Sequence, residues 1–362
     1  MKAGLIHFYS TENVGDAAIL AAMERLAGGR LDVFGFDSKS DAQTYDALIS
    51  VGGDIFNNAR PHFLTRRLLQ KFEQLRWAPE RTVLFGQSIP PSCRGIAFQM
   101  LAHHLRRIAN VTVRDPLSHM RLRAKGVNAN LSVDSAFALE KKDADCRAAR
   151  ELFVSNGLSP ERTVVFSIRN FGKMYPIDED EFRAKIVRSM ELFESLDYQV
   201  AVLLQADVDK NDTDRALAIA LQENILNLKI LDPFQGSKEP WRVALGVTAI
   251  AGSVIGTRYH TNIFRMIGGG VPVSLAYSNK GEDLNGRLGI PGANAASFHP
   301  GEIVAMAEKA AQKRFDPEPL RAQVHADFEA VIQCVKNVSA KNRSGKDLAR
   351  ARESAVPKRV TA

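Results

Sequence analysis

The chain of 362 residues is 45% hydrophobic and 25% charged, which excludes an unfolded polymer and leaves room for two domains of ordinary size. No run approaches the roughly 18 consecutive apolar residues of a membrane helix. The net charge of +7 is uneven, because residues 336–362 hold eight Lys/Arg against two Asp/Glu and so carry +6 of it. The body is therefore nearly neutral, which argues against a nucleic-acid-binding face there.

The opening Met1-Lys2-Ala3-Gly4-Leu5-Ile6-His7-Phe8 turns polar too soon for a signal peptide and reads as a first buried strand. Further short apolar runs predict strands at 31–36, 47–51, 82–86 and 110–114, after a first strand at 4–8. Amphipathic segments such as 16–26 and 61–77 lie between them. The pattern breaks at the charged stretch Glu140-Lys141-Lys142-Asp143-Ala144-Asp145, which marks a domain boundary. It restarts with strands at 163–168, 199–204, 227–231, 249–255 and 271–276, and helices at 180–196, 212–222, 241–247 and 261–267. Two more helices are expected at 300–311 and 317–335, ahead of a basic tail, 336–362, that reads as disordered or loosely helical. Such alternation predicts an α/β fold with mostly parallel sheets. The expected units are two Rossmann-like domains, 1–140 and 141–335, facing each other across a cleft lined by the loops after each strand.

Polar residues collect in those loops. Asn13-Val14-Gly15-Asp16 follows the first strand and opens a helix, where Asn13 or Asp16 can cap and the helix end can hold an anion. Gly52-Gly53-Asp54 follows the third strand, serving a tight turn or a close ligand approach. Gly86-Gln87-Ser88-Ile89 follows the fourth. Arg114 ends the fifth, facing the cleft or pairing with Asp115. Asp134 fits three roles: a cap, a brace for an arginine, or a contact for sugar hydroxyls. In the second half, Arg169 ends the first strand, and Gln205-Ala206-Asp207, which follows the second, also fits simple loop polarity. The sharpest group is Gly256-Thr257-Arg258-Tyr259-His260-Thr261, where an arginine, a histidine and hydroxyls meet a helix N-terminus. Tyr277-Ser278-Asn279-Lys280 brings an ammonium to the same region. This set suits a small, multiply charged anion, which arginine forks grip at two points.

The chain has no HExxH, no Cys/His cluster, no GxxxxGK[ST] and no Gly-x-Ser-x-Gly elbow, so no metal site, Walker-type phosphate loop or hydrolase nucleophile is expected. Its three cysteines, Cys93, Cys146 and Cys334, form no disulfide framework, which predicts a cytoplasmic location.

In this order, from about Leu5 to Lys280, these motifs resemble the polysaccharide pyruvyl transferases. The resemblance implies a glycosyltransferase-B-like fold and transfer of the pyruvyl group of phosphoenolpyruvate to two hydroxyls of a sugar, giving a cyclic ketal and free phosphate. It implies that His260 is the catalytic acid, with Arg258 beside it. Arg114, Arg169, Arg258 and Lys280 would hold the donor, on the side of the second domain. The acceptor, a polysaccharide sugar or a lipid-linked oligosaccharide, would meet the first domain. Thr257, Asn13, Asp16, Gly52, Gly53, Gln87 and Asp134 complete the expected substrate contacts. No cofactor is implied beyond phosphoenolpyruvate as donor substrate. One departure stands out: the family usually carries a third glycine where this chain has Asp54. Acceptor selectivity is expected in loops 57–66 and 170–176.

Three rival readings compete, two on these residues and a third, a nucleic-acid or membrane-surface binder, on the basic tail. A sugar-nucleotide-dependent glycosyltransferase would use the same helix ends, although no nucleotide-gripping Arg/Lys…Glu pair is evident late in the second domain. A non-catalytic member that binds anionic sugars has Asp54 as its one hint. The tail suits peripheral contact with an anionic membrane where lipid-linked chains are assembled, rather than a specific nucleic acid.

Overall fold

Parallel strands covered by helices on both faces must be apolar along their whole length. The central strands of this chain meet that condition in a computed structural model that describes residues 2–36, 42–58, 64–172, 175–209 and 212–354. The first half runs β1 (Ala3–Ile6), α1 (Val14–Ala27), β2 (Asp32–Val33), β3 (Ala47–Ser50), α2 (Arg66–Leu75), β4 (Thr82–Gln87), α3 (Gly95–Leu105), β5 (Asn110–Val113), α4 (Pro116–Arg123) and β6 (Ala129–Leu131). The second runs α5 (Asp143–Ser155), β7 (Thr163–Ser167), α6 (Glu179–Ser195), β8 (Gln199–Leu203), β9 (Asp207–Asp209), β10 (Asp212–Thr213), α7 (Arg215–Gln222), β11 (Lys229–Leu231) and α8 (Pro240–Ile250). It continues with β12 (Ser253–Gly256), α9 (Tyr259–Ile267), β13 (Val273–Ala276), α10 (Asn279–Leu288), β14 (Gly292–Asn294), α11 (Pro300–Ala311) and α12 (Glu318–Ser354).

Two six-stranded parallel sheets result, ordered β2-β1-β3-β4-β5-β6 and β11-β8-β7-β12-β13-β14, with β9 and β10 as a small antiparallel pair. Strand order reverses beside β1 and β3 in the first sheet and beside β7 and β12 in the second. Ligands of such sheets bind at these switch points, beyond the carboxyl ends of the strands. The loops of Asn13, Gly52, Arg169 and His260 follow those four strands.

Several boundaries differ from the sequence reading. The expected strand 249–255 begins inside α8, which extends to Ile250, and β12 covers only Ser253–Gly256. A continuous apolar run has no period to separate a buried helix end from a strand. The expected helix 212–222 starts in β10 and turns helical at Arg215. The charged boundary stretch is the start of α5, where the Lys142 N–H donates to the Asp145 carboxylate at 2.8 Å. Acidic residues in a first turn favour a helix there. Edge strands β6 and β14 have three residues each, too few for a periodic signal.

The last helix returns to the first sheet. Phe328 meets Phe85 edge-on at 5.4 Å, and the Cys334 thiol donates to the Ala109 carbonyl at 3.3 Å. The helical backbone continues through Ser354, so part of the tail expected at 336–362 is helical, while 355–362 lie outside the described residues. Among the described residues no helix is long and apolar enough to cross a membrane.

The two halves join directly. The Val14 N–H donates to the Gln205 carbonyl at 2.9 Å, and the Asp207 N–H to the Glu12 carbonyl at 3.0 Å. Arg287 of α10 donates to the Arg114 and Ser132 carbonyls at 2.9 and 3.2 Å. Between these junctions lies a cleft of about 620 Å³.

Candidate active site

Helix α9 sets the centre of the cleft. Its approach is tight, because a Cβ on Gly256 would lie 2.0 Å from the Asn262 side-chain oxygen. The Arg258 N–H donates to the Ser167 hydroxyl at 3.1 Å, which ties the start of α9 to β7. His260 therefore sits in the first turn and points at the other half of the molecule. A Cβ on Gly15 of α1 would lie 2.2 Å from its Nδ1, so the ring occupies the space that a side chain there would fill.

Behind the ring lies Asp134, 3.7 Å from His260 Nε2. Asp134 accepts from the Ala136 N–H at 2.8 Å and pairs with the fully buried Arg114. Arg114 also donates to the Ser88 hydroxyl at 2.8 Å and lies 4.7 Å over the Tyr259 ring. Burial pushes the Asp134 carboxyl up, but Arg114, His260 and the Ala136 N–H together outweigh that and hold it far below the usual range. Burial lowers the His260 pKa, the Asp134 charge works the other way, and Arg114 and Lys280 add to the lowering. The imidazole is thus poised between a dry environment that favours its neutral form and a carboxylate that favours its cation. Its Nε2 is buried without a hydrogen-bond partner among the described residues.

The same wall carries three cations. Arg169 donates to the Tyr277 hydroxyl at 2.6 Å and lies 4.6 Å from that ring. Arg258 is braced by buried Asp214. Asp214 also accepts from the Gln205 and Ala206 N–H groups at 2.9 and 3.2 Å. Lys280 pairs with Asp54 across the cleft at 2.8 Å. Burial works against both of these charges, yet each stabilises the other. The Asp54 pKa stays below the usual carboxylate range, with Arg114 and Arg169 assisting, and that of Lys280 stays above the usual lysine value. The residue that departs from the glycine run therefore faces inward and holds a cation from the opposite domain.

Of the sequence-selected residues, Asn13, Asp16, Gly53, Arg169, Arg258, His260 and Lys280 line the cleft. Asn13 also caps α1, accepting from the Gly15 and Asp16 N–H groups at 3.0 and 3.4 Å. Arg114 and Asp134 form a layer behind it, and Asp115 instead caps α4 through the Ser118 N–H at 2.8 Å. Gly52 has φ 116°, a left-handed value that favours glycine, and a Cβ there would meet Ile55 at 2.7 Å. Gln87 lies inside the sheet and donates to the Ser50 hydroxyl at 2.8 Å, so it does not reach the cleft. The buried Thr257 hydroxyl has no partner among the described residues and sits below the start of α9.

Sequence reasoning missed Tyr9, Phe36, Arg67 and Lys71, which line the first domain's wall, and set Gln205 aside as possible loop polarity although it lines the cleft. None of the four belongs to a motif, and α2 reads as an ordinary amphipathic helix. The expected selectivity loops lie partly outside the described residues; Asn57, Thr65 and Tyr175 reach the cleft from them.

A sequence model of the polysaccharide pyruvyl transferases matches residues 13–279, from the α1 cap to the residue before Lys280. The chain belongs to this family. The amylovoran biosynthesis protein AmsJ of Erwinia amylovora is 23% identical over 282 residues, 72% of this chain. That match spans 64% of AmsJ, less than two thirds of the relative's length. The UDP-GlcNAc 2-epimerase of Methanocaldococcus jannaschii superposes with a TM-score of 0.57 at 10% identity, covering 91% of this chain and 99% of the epimerase. The UDP-N-acetylglucosamine 2-epimerase of Rickettsia bellii gives 0.59 at 9% identity, covering 95% and 98%. These likenesses establish the fold of this pyruvyl transferase family member: two facing Rossmann-like domains in the glycosyltransferase-B-like arrangement.

Proposed function

We propose that the cleft transfers the pyruvyl group of phosphoenolpyruvate to two hydroxyls of a sugar in a cell-surface polysaccharide or exopolysaccharide, or in its lipid-linked precursor. The observation that carries this reading is His260, held against Gly15 of the opposite domain with Asp134 behind it and Arg169, Arg258 and Lys280 on its own wall. The cations suit the donor's carboxylate and phosphate. His260 gives its proton to the methylene carbon, which becomes a methyl group and leaves an oxocarbenium-like centre. One sugar hydroxyl attacks that carbon and returns its proton to His260. The second hydroxyl displaces phosphate, whose oxygen leaves with the bonding electron pair and takes up the remaining proton. The products are the cyclic ketal and inorganic phosphate. Asp134 stabilises the imidazolium and fixes the ring's orientation. The donor's phosphate adds negative charge nearby and raises the His260 pKa on binding. The scheme uses no cofactor.

Phosphate release from phosphoenolpyruvate with a panel of hexose-containing acceptors tests the reading. Release should depend on acceptor and fall by at least about 10²-fold in His260→Ala, the usual contribution of a general acid. Undiminished release in that variant removes the proposed acid. No release with any acceptor, together with binding of a uridine or guanosine diphosphate, turns the reading to glycosyl transfer from a sugar nucleotide.

A further inference from the structure

The first domain's wall carries two cations that the ketal chemistry leaves unused. Arg67 and Lys71 stand one turn apart on α2 and both line the cleft. A spacing of four places them on the same helix face. Both approach one ring: the Arg67 guanidinium lies 5.0 Å and the Lys71 ammonium 5.5 Å from the Phe36 centroid. Arg67 also lies 5.8 Å from the Tyr9 ring. Among the described residues no carboxylate pairs with either cation. Lys71 is 8% exposed, and its ammonium donates one proton to the Ile55 carbonyl, with no other hydrogen-bond acceptor for that ammonium among the described residues. Burial, and then the neighbouring Arg67, lowers its pKa to about 8. Two like charges side by side, one of them desolvated, destabilise each other until an anion joins them. The cap of α2, Thr65, lines the same wall, so the positive end of that helix adds to the field.

We propose that Arg67 and Lys71 form an anion subsite for the diphosphate of a diphosphate-linked sugar acceptor, on the wall opposite the donor cations. This rests on the pyruvyl-transfer reading and names the acceptor class for the same cleft. A guanidinium fork and a compact ammonium match a doubly charged diphosphate ester better than a single carboxylate. The Tyr9 and Phe36 rings offer apolar surface to the attached sugar. The cleft of about 620 Å³ is sized for such a ligand as well as a three-carbon donor.

Titration calorimetry on the full-length enzyme tests the assignment. The probes are a hexose linked through diphosphate to a short polyprenol, the same hexose linked to uridine diphosphate, its octyl glycoside and inorganic diphosphate. Wild type should bind the diphosphate-linked hexoses at least about tenfold more tightly than the octyl glycoside, a difference of about 1.4 kcal/mol. Arg67→Gln/Lys71→Met should lose that preference, and Arg169→Gln should keep it. Arg67→Gln alone, at an exposed position, should lose part of it and serves if the double variant melts early. Equal binding of the polyprenyl and uridine compounds assigns the subsite to the diphosphate itself, and a preference for one identifies the source. An unchanged preference in the double variant overturns the proposal. So does a preference lost equally in Arg169→Gln, which would place the anion at the donor cations. Binding of inorganic diphosphate without either linked hexose overturns the acceptor assignment. Phosphate release from phosphoenolpyruvate, measured separately, shows whether the transfer reading itself has failed.

Discussion

Gly15 offers a test that separates chemistry from folding. It is the second residue of α1 and does not have a positive φ, so its backbone does not require glycine. Its use lies in the space it leaves. A methyl group there would lie 2.2 Å from His260 Nδ1 and 2.7 Å from Cγ. Ordinary contacts lie at about 3.5–4.0 Å, so in Gly15→Ala the ring must retreat by roughly 1.3 Å. Room for that retreat is limited by Tyr259 and Phe264, whose rings lie 5.5 and 6.4 Å from the imidazole, and by Asp134 at 3.7 Å. A misplacement of about 1 Å can cost about 10²-fold in rate. The same substitution removes a glycine from a helix, worth about 0.5–1 kcal/mol in favour of folding. Gly15→Ala should therefore lose roughly 10²-fold in kcat for acceptor-dependent phosphate release, with a melting temperature close to wild type. Wild-type kcat in a folded Gly15→Ala protein would refute the reasoning, because the imidazole would then have no fixed place in the reaction.

Further expectations concern charge. If His260 must be protonated to act, kcat/KM should fall on the alkaline side at a lower pH than kcat. Burial depresses the pKa in the free enzyme, and the phosphate of the proposed donor would raise it in the complex; coincident limbs in steady-state pH profiles would remove the phosphate's role. Asp134→Asn removes the carboxylate paired with the buried Arg114 and should cost about 3–5 kcal/mol in urea unfolding. A loss of about 0–1 kcal/mol, as for an exposed pair, would count against that. His7 is buried, and burial lowers its pKa from 6.5 to about 3, so it folds neutral. Below pH 6.5 the unfolded chain takes up a proton that the folded chain refuses down to about pH 3, so stability falls as the pH drops through that window. The slope is about 1.4 kcal/mol per pH unit, and His7→Asn should flatten it, as measured by urea midpoints across that range.

Much of the fold was legible because parallel strands buried on both faces are continuous apolar runs. Strand-end loops follow from that reading, which is why Asn13, Asp16, Arg169, Arg258, His260 and Lys280 could be selected before any geometry was known. The last turn of α8 was not legible, since a short apolar run carries no period to tell helix from strand. Edge strands β6 and β14 were too short to register.

What the sequence determined by itself was the alternation, the parallel sheets and the local chemistry at each turn, because these depend on neighbours a few residues apart. Tertiary structure decided which charges meet. Arg114 turns from Asp115 to Asp134, Arg258 finds Asp214, and Asp54 reaches across the cleft to Lys280. It also carried α12 back onto the first sheet and set Arg67 and Lys71 in the same cleft as Arg169, Arg258 and Lys280. The first two pairings arise from the strand order within one sheet, which brings loops distant in sequence side by side, and the third from how the two sheets face each other; residue type within a single loop specifies neither kind of partner.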